Sequence, residues 1–201
     1  MKSERLRVIL ATANPDKAAE IADVVGDWLA LEPRPAWVPY VDESEATLEG
    51  NARLKARAIA AATGAPALAD DTGLVVAALG GAPGVLAARY AGEGASYGDN
   101  VDKLLRELAP CQDRRAQFRS VMVLALPDGR EIVAEGAIDG EIAPARRGER
   151  GFGYDPVFIP DGGGGRTFAE MSAAEKDSLG HRGRALRALR RELERVGITS
   201  L

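Results

Sequence analysis

The sequence predicts a single α/β unit, with room for two lobes around a cleft, on three features. Apolar runs of strand length, Leu6–Thr12 and Ala65–Val76 foremost, alternate with segments whose apolar residues recur at helical spacing. Pro127-Asp128-Gly129 sits between two more apolar stretches and marks a β-hairpin. No internal repeat or clear linker divides the 201 residues, and at 46% apolar they are enough to bury a real core.

Each element has its own local reason. Leu6–Thr12 (LRVILAT) suits a buried strand and runs into Asn14-Pro15, where Asn is a helix N-cap and Pro a first helical residue. Ile21, Val24, Val25 and Trp28 recur on one helical stripe, and Lys17 lies on it. Pro33, Pro35 and Pro39 limit the next segment to at best an edge strand. Thr47 to about Thr63 reads as a helix ended by Gly64. One side of it carries Leu48, Ala52, Ile59 and Ala62 with Asn51 and Lys55 among them, while Arg53 and Arg57 take the opposite, solvated side. An amide and an amine on an inward face are unusual.

Ala65–Val76 reads as the next strand, interrupted by Asp70 and Asp71. The loop Gly80–Gly84 and a helix from Tyr97 to Leu108 come after it, then the hairpin strands Phe118–Leu126 and Glu131–Ile138. Gly151–Pro156 (GFGYDP), the short run Val157–Ile159 and the loop Asp161–Gly165 lead to a last helix over Leu179–Val196, expected to align Leu179, Leu186, Leu189 and Leu193 on one side.

Charge narrows the class. The net charge of -4 argues against a surface built wholly for nucleic acid. Arg146, Arg147 and Arg150 cluster, as do the arginines from Arg182 to Arg195, but Glu192 and Glu194 interleave the second group as on a solvated helix face. Cys111 is the only cysteine, so no intrachain disulfide forms, which fits a reducing compartment. No apolar run is long enough to span a bilayer, and the opening MKSERLR lacks a signal-peptide core. The expectation is a soluble cytoplasmic protein with no membrane partner.

Two adjacent carboxylates at the edge of a core cost solvation free energy unless something neutralises them. A strand-end turn with Thr72 and Gly73 would use one acid, and the second then needs another reason. A hard-cation site, with carboxylates holding Mg²⁺ beside substrate phosphates, would use both. The lone Asp-Thr-Gly would need a homodimer to build an aspartic-protease pair, and the flanking pattern lacks the all-β spacing of such proteases. Lys17, one turn into a helix that opens after a buried strand, suits anion binding or simple snorkelling, and no P-loop pattern accompanies it. Lys55 has the same two readings, although the opposite face was open to it. Glu43 and Glu45 read as a solvated acidic loop when taken alone. GFGYD is either an irregular turn or a platform where Phe152 or Tyr154 covers a planar ligand. His181, the only histidine, stands with Lys176 and Arg182 as three donors near the start of the last helix, without a nucleophile elbow.

In order and together, "ATANPDK", "ESEATLEGNARLKA", "ADDTGLVV", "LGGAPGVLAARYAG", "GFGYDPVF" and "EKDSLGHRGRAL" resemble the inosine/xanthosine triphosphate pyrophosphatase family, from Leu10 to about Leu193. The resemblance implies an elongated α/β fold with a mixed sheet flanked by helices, one two-lobed domain over 1–201 with the active-site cleft between its lobes, and a homodimer. It implies Mg²⁺-dependent hydrolysis of ITP, dITP and XTP to monophosphate and pyrophosphate, with no stable nucleic-acid partner. By position, Asp71 matches the catalytic base and metal ligand, Asp70 its neighbour in the metal site, and Glu43 the metal-binding glutamate. Thr12, Ala13, Asn14, Pro15, Asp16 and Lys17 match the first phosphate-binding loop, and Lys55 the inward lysine of the second helix. Thr72 stands where a serine is common, and Phe152, Gly153, Tyr154, Asp155, Lys176, His181 and Arg182 match the nucleotide-binding positions.

The chain departs from the family pattern at several further positions. Ala13 replaces a usual glycine, and Gly180 a frequent serine. Glu45 and Gly50 stand where the family often has Gly and Glu, which leaves Glu43 and Glu45 both open as the ligand. The remaining alternatives are a pyrophosphatase for some other modified nucleotide and a non-catalytic binder using Arg146–Arg150 and the last helix. Pyrophosphate release separates the binder from either enzyme.

Overall fold

The computed structural model describes residues 5–198. The chain folds as β1 (Leu6–Leu10), α1 (Pro15–Val25), β2 (Leu29–Glu32), α2 (Leu48–Thr63), β3 (Ala67–Val76), β4 (Pro83–Gly84), α3 (Tyr97–Leu108), β5 (Arg115–Ala125), β6 (Glu131–Ile142), β7 (Phe158–Pro160), α4 (Ala173–Leu179) and α5 (His181–Arg195). The strands form one seven-stranded sheet in the order β2-β1-β3-β5-β6-β7, with β4 paired to β3. The sheet is mixed: β1 runs parallel to β2 and β3, whereas β3–β4 and β6–β7 are antiparallel.

Local chemistry sets several boundaries where the sequence placed them. Asn14 caps α1, its side chain accepting the N–H groups of Asp16 and Lys17, with Pro15 first in the helix. Gly64 closes α2 in the left-handed region at φ 67°, a conformation glycine adopts without a Cβ penalty. The edge strand appears as β2, which ends just before Pro33. Other features differ from expectation. β3 runs unbroken through Asp70 and Asp71, so the acids lie within a strand and not in a strand-end turn. β4 forms inside the glycine loop. The last helix is two: Gly180, extended at φ -74° and ψ 166°, separates α4 from α5. Leu179 therefore leaves the stripe of Leu186, Leu189 and Leu193. Arg53 and Arg57, expected in solvent, both reach Glu131 on β6.

The chain divides into two units, each described by itself. The first holds residues up to Asp71, Ser120–Gly136, and those from Arg182 onward. Its sheet is apolar on both faces because side chains alternate along each strand. Leu6, Val8, Leu10, Leu68, Met122 and Leu124 pack with Ile21 and Val25 of α1 and with Leu186, Leu189 and Leu193 of α5. Ile9, Ala67, Ala69, Val121 and Val123 face the other way, onto Ala52, Ala56 and Ile59 of α2.

The second unit holds Thr72–Arg119 and Ala137–His181. Phe118 is central to its core, edge-on to Phe158 at 4.7 Å and stacked on the His181 ring at 4.5 Å and 10°. Val101, Leu104 and Leu108 of α3 pack into the same core. Gly140 of β6 faces Pro160 of β7, and a Cβ there would lie 2.2 Å from the Ile159 carbonyl oxygen. Gly140→Ala is therefore expected to push β7 off the sheet edge and to cost about 1–3 kcal/mol, the scale of overpacking. Urea denaturation checks it, and an unchanged midpoint would contradict the packing.

Candidate active site

Alternation along β3 decides the geometry. Asp70 is in phase with Leu68 and faces α1 and α5; Asp71 is in phase with Ala67 and Ala69 and faces α2. Each acid meets cations from the helices on its own face.

Asp70 has a side chain with no exposed area. Its Oδ2 lies 3.2 Å from Lys17 Nζ on α1 and 3.4 Å from Arg182 Nη2 on α5. Arg182 also donates to Glu20 on α1. Burial alone would raise the Asp70 carboxyl, but Lys17, Arg182 and Lys55 outweigh it and hold the group well below the usual carboxylate range.

On the α2 face, Lys55 Nζ donates to Asp71 Oδ1 at 2.8 Å and to Glu43 Oε1 at 2.8 Å. Two carboxylates share one ammonium there. Burial, the largest influence, pushes the Asp71 carboxyl above its ordinary value; Lys55 and Lys17 oppose it, and Glu43 adds to it. Lys55 is held protonated, because Asp71, Asp70 and Glu43 overcome its burial. Neighbours in sequence thus have carboxyl groups shifted in opposite directions, a pattern that assigns different roles to paired acids. Glu43 and Glu45 are also distinguished. Glu43 sends its carboxylate to Lys55, whereas Glu45 is exposed and meets Asn51 of α2 through its backbone.

The α1 entry loop is built as its composition directs. Thr12 Oγ1 accepts the Asn14 N–H at 3.1 Å, Ala13 and Asp16 are exposed, and Lys17 reaches from the first turn to Asp70. All of these residues, with Glu43, Lys55, Asp70, Asp71 and Arg182, belong to the first unit.

The second unit brings together a different group. Asp155, buried, accepts the Phe152 N–H at 2.8 Å and a bond from Lys176 Nζ. A Cβ at Gly151 would lie 2.0 Å from Asp155 Oδ2, so only glycine leaves that carboxylate its place. Lys176 Nζ lies 4.7 Å from the Phe152 ring centre, and Tyr97 tilts against the same ring at 5.7 Å. Gly153 turns the chain at φ 61° beside it. Tyr97 was not singled out in the sequence, where it looked only like the first residue of a helix.

Other sequence candidates go elsewhere. Tyr154 turns into the core and donates its hydroxyl to the Ala87 carbonyl at 2.9 Å, with burial pushing the phenol up. His181 lies flat on Phe118. Lys176, His181 and Arg182 each have partners of their own, and Thr72 continues β3 immediately after Asp71.

Asp71 Oδ2 is buried and has no hydrogen-bond partner among the described residues. Such an oxygen suits a cation, as does the nearby Glu43 carboxylate. Among the described residues no three His, Cys, Asp or Glu side chains gather as a metal-binding group. Two carboxylates nevertheless fit Mg²⁺, which takes one or two from protein and completes its shell with waters and substrate phosphates. Among the described residues no helix is long and apolar enough to cross a membrane.

The sequence profile of the Ham1 family matches residues 8–192. A dITP/XTP pyrophosphatase of Caulobacter vibrioides is 44% identical over 191 residues, covering 93% of this chain and 97% of its own. One of Thermus thermophilus is 47% identical over 189 residues, covering 92% of this chain and 90% of its own. Among solved structures, a HAM1 protein from Coxiella burnetii superposes with a TM-score of 0.85 at 39% identity, over 94% of this chain and 99% of that one.

Asp70→Asn would leave Lys17 and Arg182 facing a neutral amide, with an expected loss of about 3 kcal/mol, the lower scale for breaking a buried pair. Because folding lowers the Asp70 pKa from 3.8, its ionised form stabilises the fold above that value. The stabilisation fades as pH falls through the folded value. The deficit of Asp70→Asn is therefore full at pH ~7 and clearly smaller at pH ~2. Denaturant titrations at the two pH values check this, and equal deficits at both would contradict it.

Proposed function

The chain belongs to the Ham1 family and is a nucleoside triphosphate pyrophosphatase, and we propose that it hydrolyses the non-standard purine nucleotides ITP, dITP and XTP to monophosphate and pyrophosphate. The observation that carries this reading is the Asp71 carboxylate: one oxygen on Lys55, the other buried with no hydrogen-bond partner among the described residues, and a carboxyl raised by burial.

In this reading Glu43 and Asp71 hold Mg²⁺, and Asp71 also orients the attacking water and takes its proton. A divalent cation bound there would neutralise charge on the phosphate oxygens. Lys17, Lys55 and the N-terminus of α1, entered through Thr12 and Asn14, clamp the polyphosphate. A raised carboxyl suits a base that must accept a proton near neutral pH. Asp70, already held by two cations, fixes Lys17 and Arg182 in place, which favours the site-shaping role over a metal ligand's.

The Phe152–Asp155–Lys176 group takes the base. Hypoxanthine and xanthine carry an acceptor oxygen at C6, where adenine carries a donor amine. The Lys176 ammonium pairs with the oxygen and would face adenine's amine donor to donor, a mismatch that a hydrogen-bonding site rejects strongly. Phe152 offers its ring to the planar base. By the resemblance the enzyme works as a cytoplasmic homodimer.

Pyrophosphate release across ITP, dITP, XTP, ATP and GTP tests the substrate class. The first three are expected to exceed ATP by at least ~100-fold in kcat/KM and also to exceed GTP, which shares the C6 oxygen and is told apart at its 2-amino group, and EDTA should abolish turnover. Equal rates on all five would overturn the substrate reading; no release from any would return the chain to a mere binder. Asp71→Asn is expected to bind nucleotide while losing at least ~100-fold in kcat, the lower scale of general-base effects. Near-wild-type turnover in that variant would sink the assignment.

A further inference from the structure

Asn51 is 3% exposed on the inner face of α2, one turn before Lys55, and its side chain touches no ionic group in the hydrogen bonds it makes. Its carboxamide reaches back past the N-cap to the backbone of a single residue, Glu45. Oδ1 accepts the Glu45 N–H at 3.0 Å, and Nδ2 donates to the Glu45 carbonyl at 3.3 Å. Only one orientation of the amide satisfies both, since a flip would set donor against donor and acceptor against acceptor. Gly50 completes the fit. A Cβ there would lie 2.7 Å from Glu45 Cβ and 2.9 Å from its Cγ, so glycine is what lets Glu45 settle against the helix.

The turn held in this way carries Glu43. Residues 33–47 form neither helix nor strand, so no ladder of backbone bonds positions that carboxylate. Glu43 is two residues from Glu45, and its Cα is within ~7.6 Å of the anchored one. Asn51 and Lys55, four residues apart, lie on the same helix face. One fixes the backbone of the acidic turn and the other receives its carboxylate at 2.8 Å.

We infer that Asn51, with Gly50 making room, is a positioning residue that holds Glu43 beside Asp71 for metal binding. The inference rests on the reading of Glu43 and Asp71 as the cation's ligands and adds the residue that sets their spacing. Asn51 makes no contact with the reacting atoms and acts only through Glu43.

The test uses Mn²⁺ alone as probe, with binding to the nucleotide-free protein measured by water-proton relaxation. Partners that orient metal ligands typically contribute 10–100-fold in affinity. Asn51→Ala is accordingly expected to weaken Mn²⁺ binding ~10-fold, with kcat at saturating Mn²⁺ within about threefold of wild type. Gly50→Ala should weaken binding in the same direction, although alanine is the better helix former, so lost helix stability would not explain it. Asn100→Ala is the matched control. Asn100 is equally buried and brackets another turn in the second unit, accepting from the Ala91 N–H at 2.7 Å and donating to the Ala88 carbonyl at 3.0 Å. It should lower the unfolding temperature without moving Mn²⁺ affinity.

If Asn51→Ala and Gly50→Ala bind Mn²⁺ as wild type does, or if Asn100→Ala weakens it as much as they do, the inference falls and the metal reading stands. Wild type that binds no Mn²⁺ would overturn both together.

Discussion

An extended strand turns successive side chains to opposite faces, and the rest of the site depends on that alternation in β3. Two buried carboxylates adjacent in sequence would repel each other if they shared one environment. Separated by the sheet, each is compensated by a different set of helices: Asp70 by Lys17 and Arg182, and Asp71 by Lys55. The apolar layers above and below hold this arrangement rigid, because a one-residue slip of β3 would exchange the two acids and expose both faces' packing to error.

The two compensations differ in kind. Asp70 lies between two cations with no exposed area of its own, which favours permanent ionisation and a structural duty. Asp71 shares one ammonium with Glu43, and burial pushes its carboxyl above the ordinary value. Low local dielectric magnifies both effects: it deepens the attraction at Asp70 and raises the cost of ionisation at Asp71. One dipeptide therefore supplies an anchor and a reactive group. In the second unit, Asp155 plays a comparable part for Lys176, keeping an ammonium at the Phe152 ring inside an otherwise aromatic core.

Some of this was legible from residues alone. The Asn14-Pro15 start, the Gly64 stop and the hairpin turn are local devices whose physics spans four or five residues. Helical periodicity placed Asn51 and Lys55 inward, and the charge of Asp70 and Asp71 in an apolar run marked them as needing partners. The break at Gly180 was missed because Leu179 and Leu186 happen to share a helical phase. Only the extended backbone at Gly180 puts Leu179 into a different core. Composition leaves Phe152 and Tyr154 as alternatives, since two aromatics in a glycine-rich turn carry the same signal whether they face ligand or core; burial of Tyr154 on the Ala87 carbonyl decides between them.

What the sequence determined by itself was therefore local: where most helices and strands lie, which residues face inward, and that two adjacent acids at a core edge needed something to neutralise them. The family resemblance added the chemistry to expect. Tertiary structure decided the partners. Lys55 and Asp71 are 16 residues apart and Arg182 and Asp70 are 112 apart, and no periodicity within one element specifies which cation arrives at which acid. It also separated Glu43 from Glu45, since that depends on where the Asn51 carboxamide grips the turn. Pairings of this kind arise from how helices pack across a sheet, a property of the whole chain and not of any stretch of it.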